Sequence, residues 1–557
     1  MKLNNSLCSF FVCCLFSVTV KAQWNTNPGL NTPVATLLAL DQENLSIISD
    51  TKNGAIISWS DHRNGNLADV YVQRLNWWGN PLWTSNGVPV CVWPSDESGI
   101  AMVEDGKGGV ILVWNDERTG PSDIYAQRVD SNGAVLWTAN GVSVCSKANI
   151  QKGPKLLADG NGGAIIVWED SVGLGYDIYA QQLNSSGVKQ WAAGGVAICT
   201  AVGAQINPKI QTDNGTGAII CWQDKRNGSD YDIMAQKINA SGVVQWATNG
   251  VFVASLTGSQ INPKMRADGS GGVFIGWQDK RNGSDYDVYI QRLNSAGVGQ
   301  WINNGTGVCV GAGSQSAIDM NTTPTPGEII VGWKDDRNGN YDIYAQKLNS
   351  TGVVQWTSNG VAATTSISDQ INPNLVSDGS GGTIIVWQDS TMGTSDVYSQ
   401  RINSAGANQW TANGVQVGVA LNDQTTPKNI PDGTGGSIYA FEDRRSGTGK
   451  DVYAHRLDAN GSAVGINEES KNTLNVSCFP NPFTNSTTIK FKNPSSEFTD
   501  LISLKVFDLA GKEIAVSYTR LQDGFVLNRS SLQSGTYFFS LVADKMVMGT
   551  GKILILD

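Results

Sequence analysis

The chain has 557 residues, which exceeds what one hydrophobic core usually supports, so a large repetitive domain or several domains are expected. Gly (63) and Trp (18) are abundant and charged residues make up 16%, a composition that favours turn-rich β structure over long helices. The net charge is −10 and no long run of Lys or Arg occurs, which argues against a nucleic-acid partner.

The first 22 residues are predicted to be an export signal. Lys2 supplies positive charge, residues 7–20 are mainly apolar, and Ala22 ends a small-residue cleavage site. That apolar stretch is too short to span a bilayer comfortably, and no later segment is apolar for long enough. We therefore expect an exported chain, cleaved after residue 22 and without a transmembrane segment.

Internal repetition dominates residues 23–458. One signature, a Trp followed two residues later by Asp, recurs every 54 to 56 residues, at Trp59, Trp114, Trp168, Trp222, Trp277, Trp333 and Trp387, with Phe441 in an eighth copy. A second signature is a Trp that precedes an Asn-Gly turn or a close variant, at Trp83, Trp137, Trp191, Trp246, Trp301, Trp356 and Trp410. Cysteines recur at equivalent places eight residues after several of these Trp, which predicts small buried side chains rather than disulfides.

Each repeat contains four strand-like stretches separated by turn residues. In the third repeat the predicted strands are residues 154–158, 164–168, 177–183 and 191–199. Four short strands with Gly-rich turns in about 54 residues are typical of a propeller blade. The sequence therefore predicts an all-β fold, an eight-bladed β-propeller with four-stranded blades.

The two ends of the repeat region bear on how such a propeller closes. The last repeat never produces its second Trp signature, whereas a matching fragment begins at Trp24, near the N-terminus. Residues 24–34 are therefore predicted to form the outermost strand of the last blade, which removes open sheet edges. A seven-bladed ring with one degenerate repeat is the alternative, but it leaves the N-terminal fragment unexplained.

After a predicted linker at residues 459–471, a different sequence fills residues 472–557. Its distinctive residues are Pro480, Asn481 and Pro482 at the entry, Gly511 and Gly535 at turns, and Tyr537 in a late strand. This segment resembles the type A sorting domain of proteins exported by the type IX secretion system of Bacteroidota, although Phe479 stands where Tyr is usual. The resemblance implies a small β-sandwich, the secretion machinery as partner, and passage through the periplasm to the outer-membrane surface or the medium.

The loops between second and third strands carry the most repeated polar residues. Asp opens and closes this loop in all eight repeats, and an Arg recurs in six, at Arg63, Arg118, Arg226, Arg281, Arg337 and Arg445. Arg226, Arg281 and Arg337 are candidate ligands for an anionic or sugar molecule at one mouth of the propeller. Recurrence in every repeat favours a structural role instead, with Asp accepting turn N–H groups and Arg pairing with Asp. Calcium is a weaker alternative because the order of an EF-hand loop is missing, and no other cofactor is predicted.

The first repeat departs from the others in its aromatic residues. Trp77 and Trp78 replace small polar residues of a turn, and Trp93 lies in the connection to the next repeat. Exposed paired aromatics stack on sugars or anchor partners, so Trp77 and Trp78 are candidate ligand-binding residues. Packing against a neighbouring blade or the C-terminal domain is the alternative, and the sequence favours it.

Catalytic patterns are scarce. His62 and His455 are the only imidazoles and lack zinc-like spacing, and no nucleophile elbow or phosphate loop occurs, so no catalytic residue or metal ligand is assigned. The leading hypothesis is a secreted or cell-surface binding scaffold for a glycan, a polymer or an envelope protein. A carbohydrate-active hydrolase with an acidic site at one tunnel mouth, and a purely structural envelope component, are the alternatives.

Overall fold

A computed structural model describes residues 24–36, 40–65, 67–173, 175–465, 475–492, 502–508, 512–530, 532–543 and 546–557. The predicted signal peptide and residues 466–471 of the predicted linker lie outside the described residues. The chain divides into two compact units, Met1–Ile466 (unit 1) and Asn467–Asp557 (unit 2). No helix among the described residues is long and apolar enough to cross a bilayer.

Unit 1 is built of antiparallel four-stranded sheets, numbered here in chain order. Sheet 1 contains β2 (Gln42–Ser49), β3 (Ala55–Asp61), β4 (Asp69–Leu75) and β5 (Val88–Cys91), and sheet 2 contains β6 (Glu97–Glu104), β7 (Val110–Asp116), β8 (Asp123–Val129) and β9 (Val142–Cys145). Sheet 3 contains β10 (Gln151–Ala158), β11 (Ala164–Val172), β12 (Gly175–Leu183) and β13 (Val196–Cys199), and sheet 4 contains β14 (Gln205–Thr212), β15 (Ala218–Asp224), β16 (Asp232–Ile238) and β17 (Val251–Ala254).

The remaining sheets of unit 1 repeat this order. Sheet 5 contains β18 (Gln260–Ala267), β19 (Val273–Asp279), β20 (Asp287–Leu293) and β21 (Thr306–Cys309), and sheet 6 contains β22 (Gln315–Thr322), β23 (Ile329–Asp335), β24 (Asp342–Leu348) and β25 (Val361–Thr364). Sheet 7 contains β26 (Gln370–Ser377), β27 (Thr383–Asp389), β28 (Asp396–Ile402) and β29 (Val415–Gly418), and sheet 8 contains β30 (Gln424–Pro431), β31 (Ser437–Asp443), β32 (Asp451–Leu457) and β1 (Thr32–Ala35).

The second strand of each sheet lies between two apolar layers, as its sequence predicts. In sheet 5, every residue of β19 is buried. Its Ile275 and Trp277 share a core cluster with Ile219 and Cys221 of sheet 4. Each further cluster of unit 1 likewise joins two successive sheets. Burial of apolar surface between sheets is thus the main stabilising contact of unit 1.

The fourth strand is shorter than the sequence indicated. In sheet 3 it is β13, whereas residues 191–199 were predicted to be extended. The reason is local, because Gly195 has φ 82° and a Cβ there would lie 2.5 Å from the ring of Trp168. The Trp191 indole N–H donates to the carbonyl of Ala240 in the next sheet (3.0 Å), so this Trp links sheets rather than extending a strand.

The N-terminal segment completes sheet 8. β1 pairs antiparallel with β32, with Thr32 opposite Ala454. Trp24 and Val34 join a core cluster that contains residues of sheets 8 and 1, among them Ile438 and Trp59. The described residues form no helix, and the prediction of an all-β, propeller-like fold is confirmed.

Unit 2 consists of two four-stranded sheets around one core. Its strands are β33 (Asn475–Phe479), β34 (Ser486–Lys492), β35 (Ser503–Phe507), β36 (Glu513–Ile514), β37 (Tyr518–Leu521), β38 (Gly524–Asn528), β39 (Gly535–Ala543) and β40 (Met546–Ile555). One sheet has the order β33-β34-β38-β37 and the other β36-β35-β39-β40. Ile489 and Phe525 of the first sheet pack with Val506 and Leu541 of the second.

The predicted sorting motif has structural contacts within unit 2. The Asn481 side chain donates to the carbonyl of Lys552 (2.7 Å) and accepts from the backbone N–H of Leu554 (2.7 Å), which fastens the entry loop to β40. The carbonyl of Pro480 accepts from Thr487 Oγ1 (2.6 Å), and the Tyr537 hydroxyl donates to the carbonyl of Gln533 (3.1 Å). Pro482 lies in the same entry loop, Gly535 begins β39, and Gly511 lies outside the described residues.

Candidate functional site

In the six sheets that have the Arg, the Asp and Arg of the loop form a hydrogen-bonded pair. In sheet 4, buried Asp224 accepts from the Trp222 indole N–H (2.8 Å) and from Nε and Nη2 of Arg226 (2.8 and 2.7 Å). Arg226 Nη2 also donates to the carbonyl of Asn249 (2.7 Å), at the turn before the fourth strand. A bidentate pair that is desolvated on one side fixes the loop onto its own sheet.

The other two candidate arginines repeat this arrangement. Arg281 pairs with Asp279 (2.5 Å) and Arg337 pairs with Asp335, and both guanidinium groups donate to a turn carbonyl. Burial would raise the pKa of Asp335, but hydrogen bonds from Arg337 and Trp333 outweigh it and hold that pKa below its usual value. Only about a fifth of each Arg side chain is exposed. These contacts support the structural interpretation, and ligand binding by the three arginines stays a prediction.

Repeats without the Arg hold the same Asp by other means. In sheet 3 the Lys147 ammonium lies 2.8 Å from Asp170. In sheet 7 the backbone N–H of Thr391 donates to Asp389 (2.8 Å). The Asp is therefore the constant part of the loop. Lys147 replaces the Arg in sheet 3, whereas Asp389 of sheet 7 keeps the backbone N–H and indole bonds that the Arg-containing repeats also have.

The aromatic residues of the first repeat separate into two environments. The Arg456 guanidinium lies 3.4 Å from the Trp77 ring centroid, and the Trp77 carbonyl accepts from the Trp24 indole (2.7 Å), so Trp77 packs against sheet 8. Trp78 is 52% exposed and Trp93 is 43% exposed. These contacts support a packing role for Trp77, and ligand binding by Trp77 and Trp78 stays a prediction.

One group between sheets 1 and 2 has the spacing of a metal site. Ligand atoms of Cys91, Glu97 and Asp116 lie within 4.8 Å of one another, and all three residues are buried. However, Arg118 Nη2 lies 2.6 Å from Asp116 and 3.1 Å from the Cys91 sulfur. The Arg118 guanidinium therefore already balances the negative charge of Asp116. Burial raises the pKa of Glu97 to about 8, consistent with a neutral carboxyl where the other repeats have Gln. Calcium binding by the loops remains an untested prediction.

A cavity of about 380 Å³ lies between the first strands of unit 1. Its lining comes from five of these strands and from β19, and comprises Asn207, Lys209, Asn262, Pro263, Lys264, Gln278, Ala317, Ile318, Asn372, Pro373, Thr426 and Lys428. Ammonium and amide groups provide its polar chemistry, and no carboxylate is among these residues.

A bulge recurring in the first strands shapes this lining. In β18 the register shifts between Ile261 and Lys264, and Asn262 adopts φ 54°. The Asn262 backbone N–H donates to Gln223 of the preceding sheet (2.8 Å). The equivalent positive-φ residues are Asn44, Gly99, Gly153, Asn207, Ala317, Asn372 and Thr426. Asn and Gly tolerate this conformation, and each bulge re-aims the residues that follow it.

The position two residues after each bulge differs among the repeats and so breaks their symmetry. Lysine holds it in sheets 3, 4, 5 and 8, at Lys155, Lys209, Lys264 and Lys428. The other sheets have Ser46, Ala101, Asp319 and Asn374 there. Three of the four lysines line the cavity directly.

The lysines lie within one another's electrostatic field. Burial lowers the pKa of Lys209 to about 7, and the charges of Lys155 and Lys264 act in the same direction. Burial also lowers the pKa of Lys155 and of Lys428, and Lys264 contributes to both shifts. Like charges brought together in a half-buried cavity disfavour full protonation.

Asp319 occupies the equivalent first-strand position in sheet 6, and its carboxylate is fully hydrogen-bonded. It is buried and accepts from Arg266 Nη2 (3.0 Å), the Asn374 amide (2.7 Å) and the Leu375 backbone N–H (2.9 Å). Burial would raise its pKa, but the charges of Arg266 and Lys264 and the Leu375 N–H hold that pKa below the usual value. Asp319 is thus bonded to Arg266 rather than to a lysine, although Asp319 and the lysines Lys264 and Lys428 interact electrostatically.

Sequence reasoning missed this cluster although a signal was present. Four of the repeats carry a Pro-Lys pair in the first strand, at residues 154–155, 208–209, 263–264 and 427–428. The departures from symmetry noted in the sequence lie in turns and connections, whereas this one lies in the first strand of each sheet. The pairs are separated by 54 residues or more, so only the packing of the sheets brings them together.

Comparison with known families identifies unit 2. Residues 477–556 match the family model described as a secretion system C-terminal sorting domain. This C-terminal region is thus a type IX sorting domain, and the protein is exported to the cell surface or the extracellular space. A search of curated proteins finds no match to the sequence.

Solved structures show weaker likenesses. A polysaccharide lyase of family PL25, an ulvan lyase bound to an oligosaccharide, aligns with TM-score 0.40 and 10% identity over 80% of this chain and 97% of that chain. A protein of unknown function from Dyadobacter fermentans aligns with TM-score 0.34 and 8% identity over 65% of this chain and 94% of its own. An endo-arabinase from Bacteroides thetaiotaomicron aligns with TM-score 0.27 and 13% identity over 45% and 93%. TM-scores below 0.5 do not establish a shared fold or function.

Proposed function

We propose that unit 1 is an eight-bladed β-propeller that β1 closes, and that it acts outside the cell as a non-enzymatic binding module. Pairing of β1 with β32 supports closure, as does the core cluster that contains residues of sheets 8 and 1. Successive sheets that each bury their faces against the next, with the last against the first, have the arrangement of a propeller.

The observation that supports the binding function is the chemistry of the cavity between the first strands. Its volume of about 380 Å³ suits a small ligand or one segment of a polymer. Lys209, Lys264 and Lys428 and several amides line it. Glycoside hydrolysis usually requires two converging carboxylates, and this lining provides neither. Binding is therefore favoured over the hydrolase alternative at this cavity.

A combined retention and turnover assay tests this function. The chain without its signal peptide is immobilised and exposed to an array of neutral and acidic oligosaccharides, and the supernatants are assayed for new reducing ends or unsaturated products. We expect at least one oligosaccharide to be retained intact.

Ala317→Trp provides the site control because residue 317 lines the cavity. We expect the larger side chain to abolish retention, whereas Leu30→Ala, at a residue 58% exposed, leaves it unchanged. The proposal is contradicted if the protein releases products from an oligosaccharide, or if the Ala317→Trp variant retains the oligosaccharide as well as the parent does.

A further inference from the structure

The lysine cluster of the cavity has a consequence for the class of ligand. Building on the binding function proposed above, we propose that the cavity binds an oligoanion, a molecule or chain segment that carries two or more carboxylate, sulfate or phosphate groups. Lys209, Lys264 and Lys428, which line the cavity, are the residues that recognise it.

The first support is that positive charge is concentrated in the first strands, although the chain as a whole is acidic. The sequence has 39 Lys and Arg against 49 Asp and Glu, yet lysines occupy four of the eight equivalent first-strand positions. Like charges at close range are costly, and a fold that needed only packing there has uncharged solutions in Ser46 and Ala101. A bound anion offsets the repulsion that the free cavity retains.

The second support is how the ammonium groups are bonded. Lys209 Nζ contacts the carbonyls of Asn207 and Pro208 (3.3 Å each) and the Asn207 side-chain oxygen, all in its own strand. Lys155 Nζ donates to the carbonyl of Pro154 (2.9 Å). These acceptors are neutral, so they leave the ammonium charges uncompensated, and an anion that binds Lys209 replaces some of them.

Nearby carboxylates have other partners. Glu169 accepts from the Asn207 backbone N–H (2.7 Å) and lies 3.8 Å from Lys152. Glu442 accepts from the Asn44 backbone N–H (2.7 Å) and lies 3.0 Å from Lys450. Asp319 is bonded to Arg266, as described above. The cavity therefore has an excess of positive charge that nearby carboxylates do not neutralise directly.

Binding should also be linked to proton uptake. The pKa of Lys209 lies at about 7 in the free cavity because of burial and of Lys155 and Lys264, whereas Glu169 and the Cys221 thiol act in the opposite direction. An anion beside Lys209 favours the charged ammonium and raises that pKa. Above neutral pH, binding is expected to draw protons from the buffer.

Calorimetric titration of the full exported chain tests the inference. The probes are trigalacturonate, a trisulfated heparin disaccharide and inorganic tripolyphosphate, with maltotriose as the neutral probe, each in two buffers of different ionisation enthalpy at about pH 7.5. We expect an anionic probe to bind with salt-sensitive affinity and proton uptake, and maltotriose to give no heat. The three anionic arms distinguish carboxylate, sulfate and phosphate sources of the same chemistry.

A comparison of two variants that each lack one positive charge locates the site. Lys264→Gln is expected to weaken binding about tenfold or more, as loss of a charge-assisted bond does. Lys107→Gln, at an exposed turn of sheet 2, removes the same charge and is expected to leave affinity unchanged. If Lys264→Gln lowers the melting temperature, Lys428→Gln replaces it.

Each outcome decides between the two proposals. Absence of heat with all three anionic probes at about 1 mM, or binding that Lys264→Gln and Lys428→Gln leave intact, overturns the oligoanion inference. Retention of only neutral oligosaccharides, blocked by Ala317→Trp, also overturns it but leaves the binding function standing. Absence of any retained ligand contradicts both.

Discussion

Trp, Asp and Arg form the smallest repeated unit of stability in the protein. Asp224 is fully buried and has two cationic or polar partners, Arg226 and the Trp222 indole. A buried carboxylate with such partners is stable. Removal of one partner is destabilising because it leaves the remaining groups buried without their hydrogen bonds or counter-charge. The Arg belongs to the same network, which explains its recurrence without a ligand.

Removal of the Asp should cost more than removal of the Arg. Asp224→Ala removes the acceptor of the Trp222 indole and the carboxylate that neutralises Arg226, and we expect it to lower the free energy of unfolding by about 3–5 kcal/mol. Arg226→Thr copies the residue at the equivalent position of sheet 7, Thr391, and should cost about 1–2 kcal/mol. Urea unfolding measures both, and equal losses contradict this ranking.

A single histidine replaces the recurring Gln of the third strands. In sheet 7, Gln400 accepts from the backbone N–H groups of Arg401 and Trp410 and donates to the carbonyl of Thr411 (2.9 Å). His455 takes this place in sheet 8, fully buried. Burial lowers the pKa of its imidazole to about 4, against the opposing effect of the Asn25 backbone.

His455→Gln should make the protein more resistant to acid. The pKa in the folded state, about 4, lies below the usual 6.5, so the unfolded chain binds more protons and stability falls as pH drops from 6.5 towards 4. The Gln variant lacks this loss, which is about 2 kcal/mol near pH 5. Denaturant midpoints at about pH 8 and pH 5 measure the difference. A variant whose midpoint falls as steeply as that of the parent contradicts the assignment.

At the scale of elements, β1 contributes more than its length suggests. Its segment buries Trp24 and Ala35, and Asn31 donates to the carbonyl of Val417 (2.7 Å) in sheet 7. The carbonyl of Leu30 accepts from Arg445 (2.6 Å). Without this segment, β32 becomes an open sheet edge, which is a template for association.

A chain that starts at residue 37 should therefore be unstable and prone to association. Loss of buried Trp24 alone is worth about 3–5 kcal/mol, and the open edge of β32 adds a route to aggregation. Light scattering after size exclusion and urea unfolding measure these effects, with Leu30→Ala as the control in the same segment. A monomeric truncated chain with an unchanged midpoint rules out closure by β1.

At the scale of the whole molecule, the sequence predicts the features that a recurring residue marks. It does not predict contacts between residues that are distant in the sequence and come together only in the folded chain. Trp277 and Asp279 predicted the second strand and its loop because both recur with the repeat. Lys155 and Lys428 belong to the recurring Pro-Lys pair, but the other four repeats have Ser, Ala, Asp or Asn at the equivalent position, which weakens that signal. Their electrostatic coupling, through Lys264, depends on how the sheets pack around one cavity.

The most direct test of this account is a crystal structure of the exported chain soaked in selenate, a dianion with an anomalous signal. We predict eight four-stranded sheets in unit 1, closed by β1, with an anomalous peak in the cavity beside the ammonium groups of Lys209, Lys264 or Lys428. Selenate found only outside the cavity, or an N-terminal segment that does not pair with β32, would contradict it.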